Sequence, residues 1–232
     1  MEKLDICSFD LEELTTFLES LSQPKYRAKQ IFKWLQSGID DFDQMTNIPL
    51  SLRNILKEKC YLATVKIVRR LASKIDETVK YVYELHDGEY IESVLMKYEH
   101  GYTVCISTQV GCRMGCSFCA SGIDGLCRNL TASEMLAQIT KAQRDNNIRV
   151  SNVVMMGMGE PLDNFDNVMR FLALISDEKG LNISMRNISL STCGLVPKID
   201  ELLDRHLQLT LSVSLHAPSD EIRNKIMPIN KS

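Results

Sequence analysis

The chain has 232 residues, 44% of them apolar and 25% charged, with 11 Gly and 6 Pro. That is enough for one or two domains with a real core, and it excludes a disordered chain, a collagen-like fibre and a low-complexity tract. Net charge is −3, without the strongly basic balance of many nucleic-acid binders, and no run approaches the roughly 18 apolar residues of a membrane-spanning helix.

The first stretch, Met1 to Leu14, is acidic and lacks the apolar segment of a secretory leader, so a cytoplasmic protein is expected. Residues 8–60 predict short helices. Ser8 and Asp10 are candidate caps for a helix carrying Leu11, Leu14, Phe17, Leu18 and Leu21, which Pro24 ends. Lys25 to Ser37 is amphipathic, and Gly38 stops it. A third helix is expected over Met45 to Cys60. Residues 53–80 hold eight Lys and Arg against three acids, a basic surface compatible with RNA contact or with a plain solvated face. Tyr61, Tyr81 and Tyr83 could stack on bases there or serve as packing residues.

The period then changes to strands. Val79 to Leu85 and Tyr90 to Tyr98 form an expected hairpin with the two-residue signal Asp87-Gly88. From about residue 100, strands and helices alternate. The strands are Tyr102 to Thr108, Val153 to Met156, Ile188 to Ser191 and Leu209 to Leu215. The helices are Ala132 to Arg144, with the capping-box spacing Thr131/Glu134, then Asn164 to Ile175, Pro197 to Leu203 and Asp220 to Met227. Four βα units of this kind predict an α/β fold with a parallel sheet, open or rolled toward a barrel. Ligands then gather at the carboxyl ends of the strands, here 109–119, 157–161, 191–194 and 214–217.

Four of the eight cysteines, Cys105, Cys112, Cys116 and Cys119, fall within fifteen residues. Without an export signal, such clustering points to a metal or redox site rather than a disulfide scaffold. Cys112, Cys116 and Cys119 have the spacing C-x3-C-x2-C, which can hold three corners of a [4Fe–4S] cubane and leave one iron open. The competing reading is structural zinc with Cys105 or Cys127 as fourth ligand, although the second separated pair usual for zinc is missing.

This motif at the end of the first parallel strand resembles the radical S-adenosyl-L-methionine (SAM) superfamily. The resemblance implies a partial TIM-type barrel, SAM bound to the open iron, and one-electron cleavage of a carbon–sulfur bond. Gly157-Met158-Gly159-Glu160-Pro161 looks like the superfamily's motif for the SAM amino group. Gly159, Glu160, Ser191, Ser214, Leu215 and His216 are the cofactor-binding residues it implies.

Further motifs narrow the resemblance to the RlmN family. They are Tyr26 to Phe32, Met45 to Pro49, Ile91 to Met96, Cys105 to Cys112, Arg128 to Leu130, and Ser214 to Pro218. These enzymes are methyltransferases with dual specificity, for carbon 2 of adenine in 23S rRNA and tRNA. The resemblance implies catalytic roles for Glu92, as proton acceptor, and Cys105, as the thiol that closes a disulfide with a methylated cysteine near the family's C-terminus. It also implies an electron donor such as flavodoxin, and no membrane. No Cys follows Cys193, so the methylated cysteine is absent from these 232 residues. The chain therefore resembles a truncated family member, expected to hold cluster and SAM but not to complete methylation. The expected organisation is a helical accessory domain over 1–75, a β-hairpin connector over 76–98, and a radical SAM core of about four βα units over 99–232. A Cfr-like carbon 8 methyltransferase and a non-catalytic metal-bound RNA-binding module remain open alternatives.

Overall fold

The computed structural model describes residues 3–231; Met1, Glu2 and Ser232, the outermost residues of the two terminal stretches read above, lie outside the described residues. A two-stranded parallel pairing of β1 (Leu4–Asp5) with β2 (Cys60–Tyr61) brackets three helices, α1 (Leu11–Ser20), α2 (Tyr26–Gln36) and α3 (Leu50–Lys59). Asp10 caps α1 in a capping box with Glu13, while Ser8 bonds to Asp5 instead. The helix expected over Met45 to Cys60 begins only at Leu50, because Pro49 supplies its N-cap and Pro disfavours helical backbone at the residue before it.

The main sheet has seven strands in the order β11-β10-β9-β6-β5-β4-β3. They are β3 (Lys66–Ala72), β4 (Val79–Glu84), β5 (Tyr90–Tyr98), β6 (Gly101–Cys105), β9 (Val150–Met155), β10 (Ile188–Thr192) and β11 (Thr210–Val213). Strands β3 to β6 pair antiparallel, and β6, β9, β10 and β11 pair parallel. A separate ribbon joins β7 (Gln109–Gly111) to β8 (Leu126–Asn129). Helices α4 (Ala132–Asn146), α5 (Phe165–Ser176) and α6 (Val196–Asp204) connect the parallel strands, and α7 (Asp220–Ile226) follows the last. The fold is α/β with consecutive parallel βα units. The described strands form an open sheet, with β11 and β3 at its edges.

Strand β3 is additional to the strands the sequence pattern predicts, and the turn between β4 and β5 spans three residues, His86 to Gly88, rather than two, with Gly88 at φ +86°. Val79, Tyr81 and Tyr83 alternate inward along β4. Tyr81 and Tyr83 are fully buried and stack at 5.3 Å, so they are packing residues and not base-stacking platforms. Much of the basic 53–80 stretch is paired: Lys57 with Asp41 and Asp43, Lys66 with Glu84, Arg70 with Asp145, Lys80 with Glu92.

The two faces of the parallel strands differ by the period-2 rule. Val104, Val153, Met155 and Leu190 turn to the helices, where Met135, Ile139, Val168 and Phe171 complete the core. Each such side chain contributes about 1.5–3 kcal/mol on burial. Cys105, Asn152, Val154 and Ser189 turn the other way and line an open concave face holding a cavity of about 580 Å³. No helix among the described residues is long and apolar enough to cross a membrane.

Candidate cofactor site

The cysteine loop begins at β7 and returns through β8. Cys112 N–H donates to the Gly125 carbonyl at 2.9 Å, closing the loop at its base. Gly111, at φ +75°, lies so near Gly125 that a Cβ would stand 2.0 Å from that carbonyl oxygen. No other residue fits there. Cys112 is buried, Cys116 half-buried and Cys119 exposed, so the three thiols rise from the floor of the loop to its rim. Burial pushes the Cys112 and Cys116 thiols above their ordinary range, and the neighbouring Cys119 charge adds to this at Cys116.

The second wall follows β9. Gly157 packs against β6 so closely that a Cβ would meet the Ile106 carbonyl at 2.7 Å. Glu160 is buried. Its Oε1 accepts from Leu162 N–H at 3.1 Å and its Oε2 from Cys193 N–H at 2.8 Å. A carboxylate has about four lone-pair positions, so an ammonium can still dock on it. The third and fourth walls are the ends of β10 and β11, where the Ser191 and Ser214 hydroxyls lie 3.3 Å apart. His216, at φ +55°, brings its ring to 4.8 Å from Phe118 of the cysteine loop.

These walls enclose one cavity of about 310 Å³, within the roughly 300–1,000 Å³ of ligand clefts. It gathers Cys112, Cys116, Cys119, Gly159, Glu160, Ser191, Ser214 and His216 from four separate strand ends. Leu215 does not line it; the residue is 62% exposed, and its carbonyl accepts from Arg223. Cys105 lines instead the cavity of about 580 Å³ on the concave face, and burial raises its thiol as well. Glu92 lies on that same face, because Val94 is the cross-strand partner of Cys105 and Glu92 is two residues away on β5. Its carboxylate is half-exposed and pairs with Lys80 at 2.8 Å. All eight cysteines are free thiols.

Two further residues belong to the site's frame and carried no sequence signal. Arg223 of α7 donates to the carbonyls of Cys193 (2.5 Å), Ser214 (3.3 Å) and Leu215 (3.2 Å), tying the ends of β10 and β11 together. Met227 is buried against Cys112, Met114 and Cys193, so the segment after β11 roofs the cysteine loop. Ser117 N–H fastens the loop to that roof through the Ile226 carbonyl.

The donor set suits a cubane with one open corner. Three thiols line one side of the cavity, the Glu160 carboxyl and the Ser191 and Ser214 hydroxyls supply polar groups opposite, and Met155, Met156, Phe118 and Met227 fill in apolar wall between them. Among the described residues no three His, Cys, Asp or Glu side chains converge as the ligands of a single ion would. A cubane does not require convergence, since each corner iron takes its own thiolate.

A family model described as "Radical SAM superfamily" matches residues 106–231, and one described as "Ribosomal RNA large subunit methyltransferase N-terminal domain" matches residues 4–62. A protein of Clostridium novyi named "Probable dual-specificity RNA methyltransferase RlmN" is 54% identical over 226 residues, which cover 97% of this chain and 66% of that protein. An Alkaliphilus oremlandii protein of the same name is 52% identical over 231 residues, covering 100% of this chain and 67% of that one. The crystal structure of a radical SAM methyltransferase from Sphaerobacter thermophilus superposes with a TM-score of 0.92 at 43% identity, over 98% of this chain and 68% of that chain. The chain thus spans about two thirds of the length of the curated relatives it matches.

Proposed function

The chain belongs to the RlmN family of the radical SAM superfamily, and from that membership we propose that it is the cofactor-holding part of an RNA methyltransferase acting on carbon 2 of adenine in 23S rRNA and tRNA. The observation that carries this reading is the single cavity in which three cysteines face Glu160, Ser191, Ser214 and His216. When bound, the [4Fe–4S] cluster and SAM supply one electron and the carbon–sulfur bond which that electron breaks. Cys112, Cys116 and Cys119 hold the cluster. The free lone pairs of Glu160 receive the SAM ammonium, and Gly159 lets the backbone approach it. The Ser191 and Ser214 hydroxyls and the His216 ring orient the rest of the nucleoside; Leu215 acts through its backbone.

On the concave face, Glu92, paired with Lys80 at 2.8 Å, accepts the proton that must leave carbon 2. Cys105 is the resolving thiol. Its partner cysteine would come from a part of the family's sequence that these residues do not include. The adenine must be unstacked to enter. Residues 1–75 serve as the RNA-facing accessory unit, 76–98 as the connector and 99–232 as the catalytic core, in a cytoplasmic enzyme reduced by a flavodoxin-like donor. Mass spectrometry of digested 23S rRNA and tRNA from cells with and without the gene tests the reading. Gene-dependent 2-methyladenosine supports it. Gene-dependent 8-methyladenosine assigns the Cfr-like activity instead, and no gene-dependent methyladenosine refutes both.

A further inference from the structure

Gln109 is fully buried on β7, three residues before Cys112, and its amide is used completely. Its Oε1 accepts from the Glu160 N–H at 2.8 Å. Its Nε2 donates to Asn129 Oδ1 at 2.8 Å, on the return strand of the cysteine loop, and to Asp163 Oδ2 at 2.9 Å. The other Asp163 oxygen takes the guanidinium of Arg113, the neighbour of Cys112. The backbone joins in: the Met158 carbonyl accepts from both Thr108 and Gln109 N–H groups. Gly159 lies so close that a Cβ on it would meet Gln109 Cβ at 2.6 Å and Cγ at 2.8 Å.

One side chain therefore touches both walls of the cavity. It grips the loop that carries the three thiols through Asn129 and, by way of Asp163, Arg113. It grips the loop that carries Glu160 through that residue's own amide. Only a primary amide offers one acceptor and two donors in this geometry; a carboxylate lacks the donors, and an apolar side chain lacks all three.

Resting on the function proposed above, we infer that Gln109 is a positioning residue that fixes the Glu160 loop against the cysteine loop, and so sets the place of the SAM amino-acid end relative to the open iron. It touches neither group and acts through Glu160 and the Asp163–Arg113 pair. A shift of the Glu160 loop by a fraction of an ångström leaves the cysteines able to hold iron. It moves the carboxylate away from where the ammonium must dock.

The test uses the same-shaped variant Gln109→Glu, which replaces two donors by a carboxylate oxygen facing Asp163. The double variant Gln109→Glu/Asp163→Asn moves the charge across and reverses the polarity of that hydrogen bond. For Gln109→Glu, iron per chain after anaerobic reconstitution is expected to equal that of the native chain. Its SAM dissociation constant should rise at least about tenfold, a cost of about 1.4 kcal/mol. The change that SAM induces in the electron paramagnetic resonance spectrum of the reduced cluster should be lost. In the iron-free chain, amide exchange over residues 157–162 should quicken. The double variant is expected to regain SAM affinity to within about threefold of the native chain.

A Gln109→Glu chain that binds SAM with native affinity and spectrum overturns this inference alone. So does a variant that loses iron and SAM together and is not restored by Asp163→Asn, which would make Gln109 a mere fold residue. A native chain that holds iron but does not respond to SAM overturns the proposed function, and this inference with it.

Discussion

Gly159→Ala isolates the cost of bringing the Glu160 loop against β7. Gly159 sits at φ +99°, where a side chain is strained by about 1–3 kcal/mol. The added methyl would also lie 2.6 Å from Gln109 Cβ and 2.8 Å from its backbone nitrogen. Gln109 cannot retreat, because its amide is held at both ends. Overpacking of this sort costs about 1–3 kcal/mol more. The sum, about 2–6 kcal/mol, is a large share of the 5–15 kcal/mol typical of a folded protein. Gly88→Ala is the control: φ is +86° there, but nothing lies within 4 Å, so only the backbone strain applies. Urea unfolding of both variants and SAM titration of the reconstituted chains give two readouts. Either Gly159→Ala is destabilised more than Gly88→Ala, or its loop shifts to relieve the overlap and SAM affinity falls by about tenfold or more. A Gly159→Ala chain no less stable than Gly88→Ala that also binds SAM normally would refute the packing argument.

Arg128 forks onto buried Glu134 with two 2.8 Å hydrogen bonds and reaches Asp87 at the hairpin turn, so Arg128→Met should cost about 2–4 kcal/mol by leaving Glu134 without its charge partner. Urea unfolding checks this, and a loss under about 0.5 kcal/mol would contradict it. Burial, aided by Asp5, pushes the Cys7 thiol up to about 12 from 9.0. The folded chain therefore keeps a proton that the unfolded chain sheds above pH 9, and stability drains away as pH rises from 9 toward 12. Between pH 8 and pH 10 the native chain should lose about 1 kcal/mol more than Cys7→Ala, and equal losses would dismiss the linkage. Serine at Cys112, Cys116 or Cys119 should lower the iron held by the reconstituted chain, whereas Cys127→Ser should not. Iron loss in Cys127→Ser would revive a four-thiolate site.

The sequence made local features legible and distant ones not. Thr131 and Glu134 form the expected capping box because three residues of chain suffice to determine it. The cysteine loop was equally readable, since its spacing is local and its glycines mark the tight backbone. Gln109 was not: its partners are 20, 51 and 54 residues away, and a buried glutamine has no period or motif of its own. Arg223 is the same case, closing on the Cys193 carbonyl 30 residues back. Strand β3 has no legible sequence pattern because Arg69 and Arg70 interrupt its alternation; it is an edge strand held by its pairing with β4 rather than by burial. The Tyr81 and Tyr83 rings are ambiguous in the sequence because what buries them, α4 with Gln138, Asp145 and Asn146, lies more than 50 residues away.

The most direct measurement of the central claim is electron paramagnetic resonance of the chain, loaded with iron and sulfide under anaerobic conditions, reduced, and titrated with SAM. Three protein thiolates and one open corner predict close to four irons per chain and a spectrum that changes as SAM is added. A chain that retains zinc but no iron, or a cluster whose spectrum is indifferent to SAM, would contradict it.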